Sequence, residues 1–143
     1  MKKRILSLLC AVCVLLSMPG VAFAAEITPR ASDYFGRTDV RAYAEGGGEI
    51  LIEIDVDATH MMQEVGAEYV YIYEQQSNGR YEPVYTFSKY EDSSLVEYNS
   101  YFGYVDVTYQ GTSGTKYFAY VGCYAKGRNG SETLYFQTNV VTA

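Results

Sequence analysis

The chain holds one histidine, three cysteines and seventeen carboxylates in 143 residues, so any chemistry must come from a short inventory. His60 precedes Met61 and Met62, which sets an imidazole beside two thioethers, donors of the kind that suit copper(I). Three consecutive residues of an extended segment cannot all face one way. The expectation is therefore that one methionine caps the core while His60 stays in solvent. As the only histidine, His60 would have to serve any Ser/His/Asp triad and leaves a multi-histidine metal site without a second imidazole; no nucleophile elbow accompanies it. Cys123 is the third cysteine and lies apart from Cys10 and Cys13. Unpaired, it would serve as a reactive or intermolecular thiol, but its parity with Tyr117, Ala119 and Val121 turns it inward as a small hydrophobe. Glu49, Glu53, Asp55 and Asp57 form an acidic row. Residues two apart on a strand face stand about 6.5–7 Å from one another in a line, whereas calcium needs six to eight converging oxygens. That row reads as a solvated face. No catalytic residue, metal or cofactor is expected.

Tyrosine is the feature that stands out: sixteen of them, with no tryptophan. Strand parity sets Tyr71, Tyr73, Phe118, Tyr120 and Tyr124 on one outward face. Such a face stacks against sugar rings or anchors a protein interface, because tyrosine offers a large contact area, a polar tip and little entropy loss. The competing reading is that tyrosine, a good strand former, only protects its sheet, covered by the segment around Tyr34 and Phe35. The partner expected for an exposed face is a glycan or a protein at the cell surface, with self-association as the alternative.

The elements that must carry these residues are strands. Ile50, Ile52, Ile54, Val56 and Ala58 alternate with Glu49, Leu51, Glu53, Asp55 and Asp57, the mark of a strand with one buried and one wet face. Val40, Ala42 and Ala44 alternate likewise, and Gly46-Gly47-Gly48 gives the freedom a tight hairpin needs. A turn centred on Gly47 sets Ala44 opposite Ile50, Ala42 opposite Ile52 and Val40 opposite Ile54. On the wet side it sets Arg41 opposite Glu53 and Arg37 opposite Asp57. A loop is expected over residues 59–66 and a third strand over 68–74, with Val70 and Ile72 inward. Ser77-Asn78-Gly79 turns the chain into an edge strand containing Pro83. A polar loop with a short helical turn follows over 88–99, then strands over 102–109 and 116–125. Asn129-Gly130 leads to the last strand, about 132–140. About seven strands at regular spacing, with no helical period, predict an all-β fold: a single antiparallel β-sandwich.

At the N-terminus Lys2, Lys3 and Arg4 precede an apolar run and Ala22-Phe23-Ala24, which reads as a cleavable signal peptide over 1–24. An N-terminal segment over 25–37 and the sandwich domain over 38–143 then follow. No membrane anchor is expected, and the expected location is secreted, extracellular. Removing the three basic residues of the signal leaves eight against seventeen acidic ones, a formal charge of −9. Nucleic acid and anionic lipid are poor partners for that surface.

Gly114-Thr115-Lys116-Tyr117-Phe118-Ala119-Tyr120-Val121 resembles the start of strand F in fibronectin type III domains, with Tyr117 at the tyrosine-corner position. Residues 125–131 are similar to the loop that follows it. This resemblance implies an immunoglobulin-like or fibronectin type III-like sandwich. Residues 27–35 and Val65-Gly66-Ala67 also resemble a group of short secreted proteins of Gram-positive bacteria, a domain of unknown function. That likeness implies a bacterial, secreted location and a small size, and it carries no reaction with it.

Overall fold

The computed structural model describes residues 32–143; the signal segment expected over 1–24 and residues 25–31 lie outside them. The described residues form seven strands in one antiparallel sheet, with no α-helix among them.

Gly46, Gly47 and Gly48 all have positive φ, which lets strand β1 (Phe35–Gly46) reverse into β2 (Glu49–Gln75). The register is the expected one, with Ala44 facing Ile50, Ala42 facing Ile52 and Val40 facing Ile54. On the other side of β2, strand β4 (Val96–Gln110) pairs Val105 with Ile54 and Val107 with Ile52. Ile50, Ile52, Ile54 and Val56 are all buried.

Past Asp57 the structure departs from expectation, because residues 59–66 are strand and not loop. Two observations explain the difference. The register with β4 slips between Asp57 and Met62, a bulge that takes up the extra residues. The Thr59 N–H donates to the Tyr34 carbonyl at 2.9 Å, so that backbone is partnered without leaving the extended state. At Glu64, Val65 and Gly66 β2 pairs with both β4 and β5 (Lys116–Gly127), and from Tyr69 onward it pairs with β5 on one side and β3 (Tyr81–Ser88) on the other. The sheet thus has two branches, β1–β2–β4 and β3–β2–β5–β6, and it curls where they meet.

Strand β3 pairs with β2 alone, the edge position that Pro83 permits. The link from β3 to β4 carries a 3₁₀ turn (Ser93–Leu95) capped by the Asp92 carboxylate, which accepts the Ser94 N–H and buries Leu95. Strand β6 (Gly130–Gln137) pairs with β5, and the short β7 (Val141–Thr142) returns to pair with Lys116 and Tyr117.

The core fills the concave side. Val70 and Ile72 enter it from β2, while Tyr117, Ala119, Val121, Cys123 and Ala125 enter from β5, as their alternation requires. Burial pushes the Cys123 thiol up to about 12, so it stays protonated and inert. Gly103 marks a close approach between β4 and β2: a Cβ there would stand 2.6 Å from the Val65 carbonyl oxygen. The second half of β2 therefore packs onto β4 where residue 103, like Gly66 across from Leu95 and Val96, has no side chain. At the far edge of β1, the Asn139 amide donates to the Ala42 carbonyl at 2.9 Å and accepts the Ala42 N–H at 3.0 Å. It stands in for a neighbouring strand.

Candidate functional site

The outer face of the β3–β2–β5–β6 branch is aromatic. Strand alternation points Tyr69, Tyr71 and Tyr73 away from the core because Val70 and Ile72 occupy it. Across the ladder Tyr71 faces Tyr120 and Tyr73 faces Phe118. The Tyr73 and Phe118 rings stack at 4.9 Å with 4° between planes, and Tyr81 leans on Phe118 at 5.0 Å. Tyr120 stacks on Tyr135 at 5.4 Å, while Tyr69 links Tyr71 at 5.7 Å to Tyr90 at 6.0 Å. Such offset and tilted contacts hold rings in fixed orientations. Tyr120 keeps 39% of its surface in solvent, whereas Tyr71, Tyr73 and Phe118 are half-buried. Burial by its neighbours raises the Tyr71 hydroxyl above the ordinary tyrosine value, which keeps it a neutral donor.

Tyr69, Tyr81 and Tyr135 complete this face and were absent from the expected set. Tyr135 faces Gly122, and a Cβ on that glycine would meet the Tyr135 ring at 2.9 Å. An aromatic ring covering a strand glycine is a recurring cross-strand device. The Asn129-Gly130 turn signal carries that register, since Gly127 faces Gly130 in the hairpin.

Tyr124 corrects the expectation. It shares the parity of Tyr120 but is only 7% exposed, because the link after β3 lays Lys89 over it. The Lys89 ammonium sits 3.9 Å from the Tyr124 ring centre and 2.6 Å from a Glu64 oxygen. Lys126 reaches the other Glu64 oxygen at 3.0 Å. The Lys89 hydrogen bond holds the Glu64 carboxyl below the usual carboxylate range. Burial alone would lower the Lys89 ammonium, yet its bond to Glu64 and its contact with Tyr124 leave it raised. Beside it, Glu68 accepts hydrogen bonds from the Tyr90 and Thr133 hydroxyls. This end of the face is a closed polar latch.

The other branch turns a charged face outward. Arg41 stands opposite Glu53 and Arg37 opposite Asp57, yet both guanidiniums reach along their own strand to Asp39, at 2.7 and 3.6 Å. Glu49, Glu53, Asp55 and Asp57 run along β2, and among the described residues no cluster of three His, Cys, Asp or Glu side chains suits a metal. Phe102 and Tyr104 on β4 stack at 5.9 Å beside this acidic row.

A cleft of about 710 Å³ opens where the bulge of β2, the β5–β6 turn and the start of β4 come together. Its walls include Tyr34, His60, Met61, Met62, Tyr101 and Arg128. Met62 is buried and His60 exposed, as expected. Neither a scan of family models nor a search of curated proteins matches this chain.

Proposed function

We propose that this protein is an extracellular, non-enzymatic binding or interaction module whose recognition surface is the aromatic face of β3, β2, β5 and β6. The observation that carries the reading is the continuity of that face: rings from four adjacent strands, each held by a neighbour, with Tyr120 and Tyr135 open to solvent. Rigid tyrosines lose little entropy on contact and present both an apolar flat and a hydroxyl. Their chemistry fits the apolar side of a sugar ring or a protein surface. The formal charge of −9 beyond the basic N-terminal residues favours a neutral or cationic partner over a polyanion.

The scaffold we infer is an immunoglobulin-like, fibronectin type III-like sandwich. Two features support it. The two branches share β2 yet bury one common core, and the Tyr117 hydroxyl accepts the Thr112 N–H at 2.9 Å, the bond of a tyrosine corner. The basic, apolar N-terminal run followed by Ala22-Phe23-Ala24 supports secretion, in keeping with the likeness to small secreted proteins of Gram-positive bacteria.

The test compares retention of wild type and of a Tyr71, Tyr120, Tyr135→Ser variant on cell-wall polymers, glycans and whole-cell surfaces, with thermal unfolding measured for both. Retention lost in an equally stable variant is the expected result. Equal retention by both overturns the assignment of the face.

Self-association is the second reading. It is favoured by β4, which pairs with β2 alone and turns Phe102 and Tyr104 outward; an edge of that kind accepts a further strand. Sedimentation velocity across a wide concentration range separates the two, because a monomer throughout removes this one.

A further inference from the structure

His60 and its neighbours do something that strand alternation forbids. The bulge between Asp57 and Met62 breaks the period of two, and His60, Met61 and Met62 all line the cleft. Hydrogen bonding fixes the imidazole. The Thr59 hydroxyl stands 2.6 Å from the Asp33 carbonyl and 2.9 Å from His60 Nδ1. A hydroxyl has one hydrogen, and here it goes to the carbonyl. Nδ1 therefore carries a proton and donates to Thr59 Oγ1, which leaves Nε2 as the ring nitrogen whose lone pair a metal can take.

That lone pair has a companion. The place a Cβ would take on Gly127 lies 3.6 Å from His60 Nε2, 3.6 Å from Met62 Sδ and 3.5 Å from Tyr34 Cε1. An imidazole nitrogen and a thioether sulfur thus converge on a space that glycine leaves open. Both donors are uncharged, and Asp33 and Arg128, which also line the cleft, offset one another. A calcium or zinc ion finds too few ligands here. We propose that the cleft binds a soft monovalent cation, copper(I) with silver(I) as its redox-inert analogue, between His60 Nε2 and Met62 Sδ, with the exposed Met61 as a third donor. Thioether and neutral imidazole are the ligands that select such an ion. The Asp33 carbonyl–Thr59–His60 chain is the outer shell that orients a metal-binding histidine. This site is independent of the aromatic face.

The experiment titrates silver(I) into the full-length protein, followed by NMR at the methionine methyl groups and the His60 ring nitrogens. A parallel run measures copper(I) in competition with a bicinchoninate chelator. Because the thiols of Cys10 and Cys13 would take silver and copper(I) first, every protein titrated carries Cys10→Ser and Cys13→Ser, while Cys123 is buried and inert. The Met62 methyl and His60 Nε2 resonances are expected to shift together and saturate at one equivalent. Met62→Leu, which keeps the core volume, and His60→Gln, at an exposed position, are each expected to weaken copper(I) binding at least tenfold, and Met61→Leu less. The proposal is overturned by shifts confined to Met61, by no shift at either Met62 or His60, or by wild-type affinity in His60→Gln. Should Met62→Leu fail to fold, the His60→Gln result stands alone.

Discussion

The two branches of the sheet bury the same kind of aliphatic core but turn different faces outward. Along β1–β2–β4 the outer face is charged, and up to the bulge after Asp57 each residue sits where strand parity sets it: Arg41 opposite Glu53, Arg37 opposite Asp57. Along β3–β2–β5–β6 the outer face is aromatic, and parity fails at Tyr124, which a lysine from the link after β3 has covered. The contrast teaches where local rules end. A face open to water is governed by its own strand, while a face that another segment can cover is governed by distant chain.

The largest effect is expected at the junction of the branches. Gly103→Ala sets a Cβ 2.6 Å from the Val65 carbonyl and 2.7 Å from the Gly66 nitrogen, and backbone cannot rotate aside. The expected loss is about 3 kcal/mol, the upper end for overpacking, read as a lowered urea midpoint. Gly36→Ala is the control, because its Cβ would meet the Asp57 and Ala58 carbonyl oxygens at ordinary distances of 3.5 and 4.0 Å. Comparable losses in both variants would mean that Gly103 does not limit the fit of the branches. Tyr117→Phe comes next. Its hydroxyl donates to Glu74 at 2.6 Å and accepts from Thr112. Removing it breaks both bonds, one of them to a carboxylate, at an expected net cost of about 0.5–1.5 kcal/mol each in thermal or urea unfolding.

Most of the strand layout was legible because alternation and turn chemistry agree with each other. The Gly47-centred register, the inward side of Val70 and Ile72, the edge placement of Pro83 and the burial of Cys123 all follow from period two plus a turn signal. Residues 59–66 were not legible as strand, since a bulge has no sequence period and its pairing depends on Tyr34 and β4. Of the candidate face, Tyr71, Tyr73, Phe118 and Tyr120 were readable from parity within each strand. Tyr135 needed the β5–β6 register as well. Tyr124 was misread because nothing in its own strand announces Lys89 above it, and the convergence of His60 with Met62 was hidden by the same bulge.

The latch over Tyr124 gives a smaller effect with a pH signature. Glu64 is held below its ordinary value, so its contribution to stability is fully present above about pH 4.5 and is lost as pH falls through the folded-state value. Lys89 is raised above its ordinary value, so its contribution is present below about pH 10.5 and lost only as pH rises through the folded-state value. Lys89→Met removes the cation and keeps the length of the side chain. It is expected to cost about 1–2 kcal/mol at neutral pH, below the range for a fully buried pair, to flatten the acid limb of the stability profile, and to make Tyr124 reactive to nitration. An unchanged acid limb would mean that Glu64 draws its stabilisation from Lys126 alone.

The smallest effect belongs to the charged branch. Arg41 bonds Asp39 at 2.7 Å, a shorter contact than its Cα pairing with Glu53 would suggest, yet 59% of its side chain lies in solvent. Water screens such a pair, and holding two long side chains together costs entropy. Arg41→Ala is expected to leave the unfolding midpoint unchanged within error at physiological salt, with a shift emerging only at low ionic strength. The Lys89–Glu64 contact is about as short, at 2.6 Å, but just 9% of the Lys89 side chain is exposed, so its loss should register at both salt concentrations. If Arg41→Ala destabilises the protein at high salt as well, the two outer faces differ in composition and not in how they hold the fold.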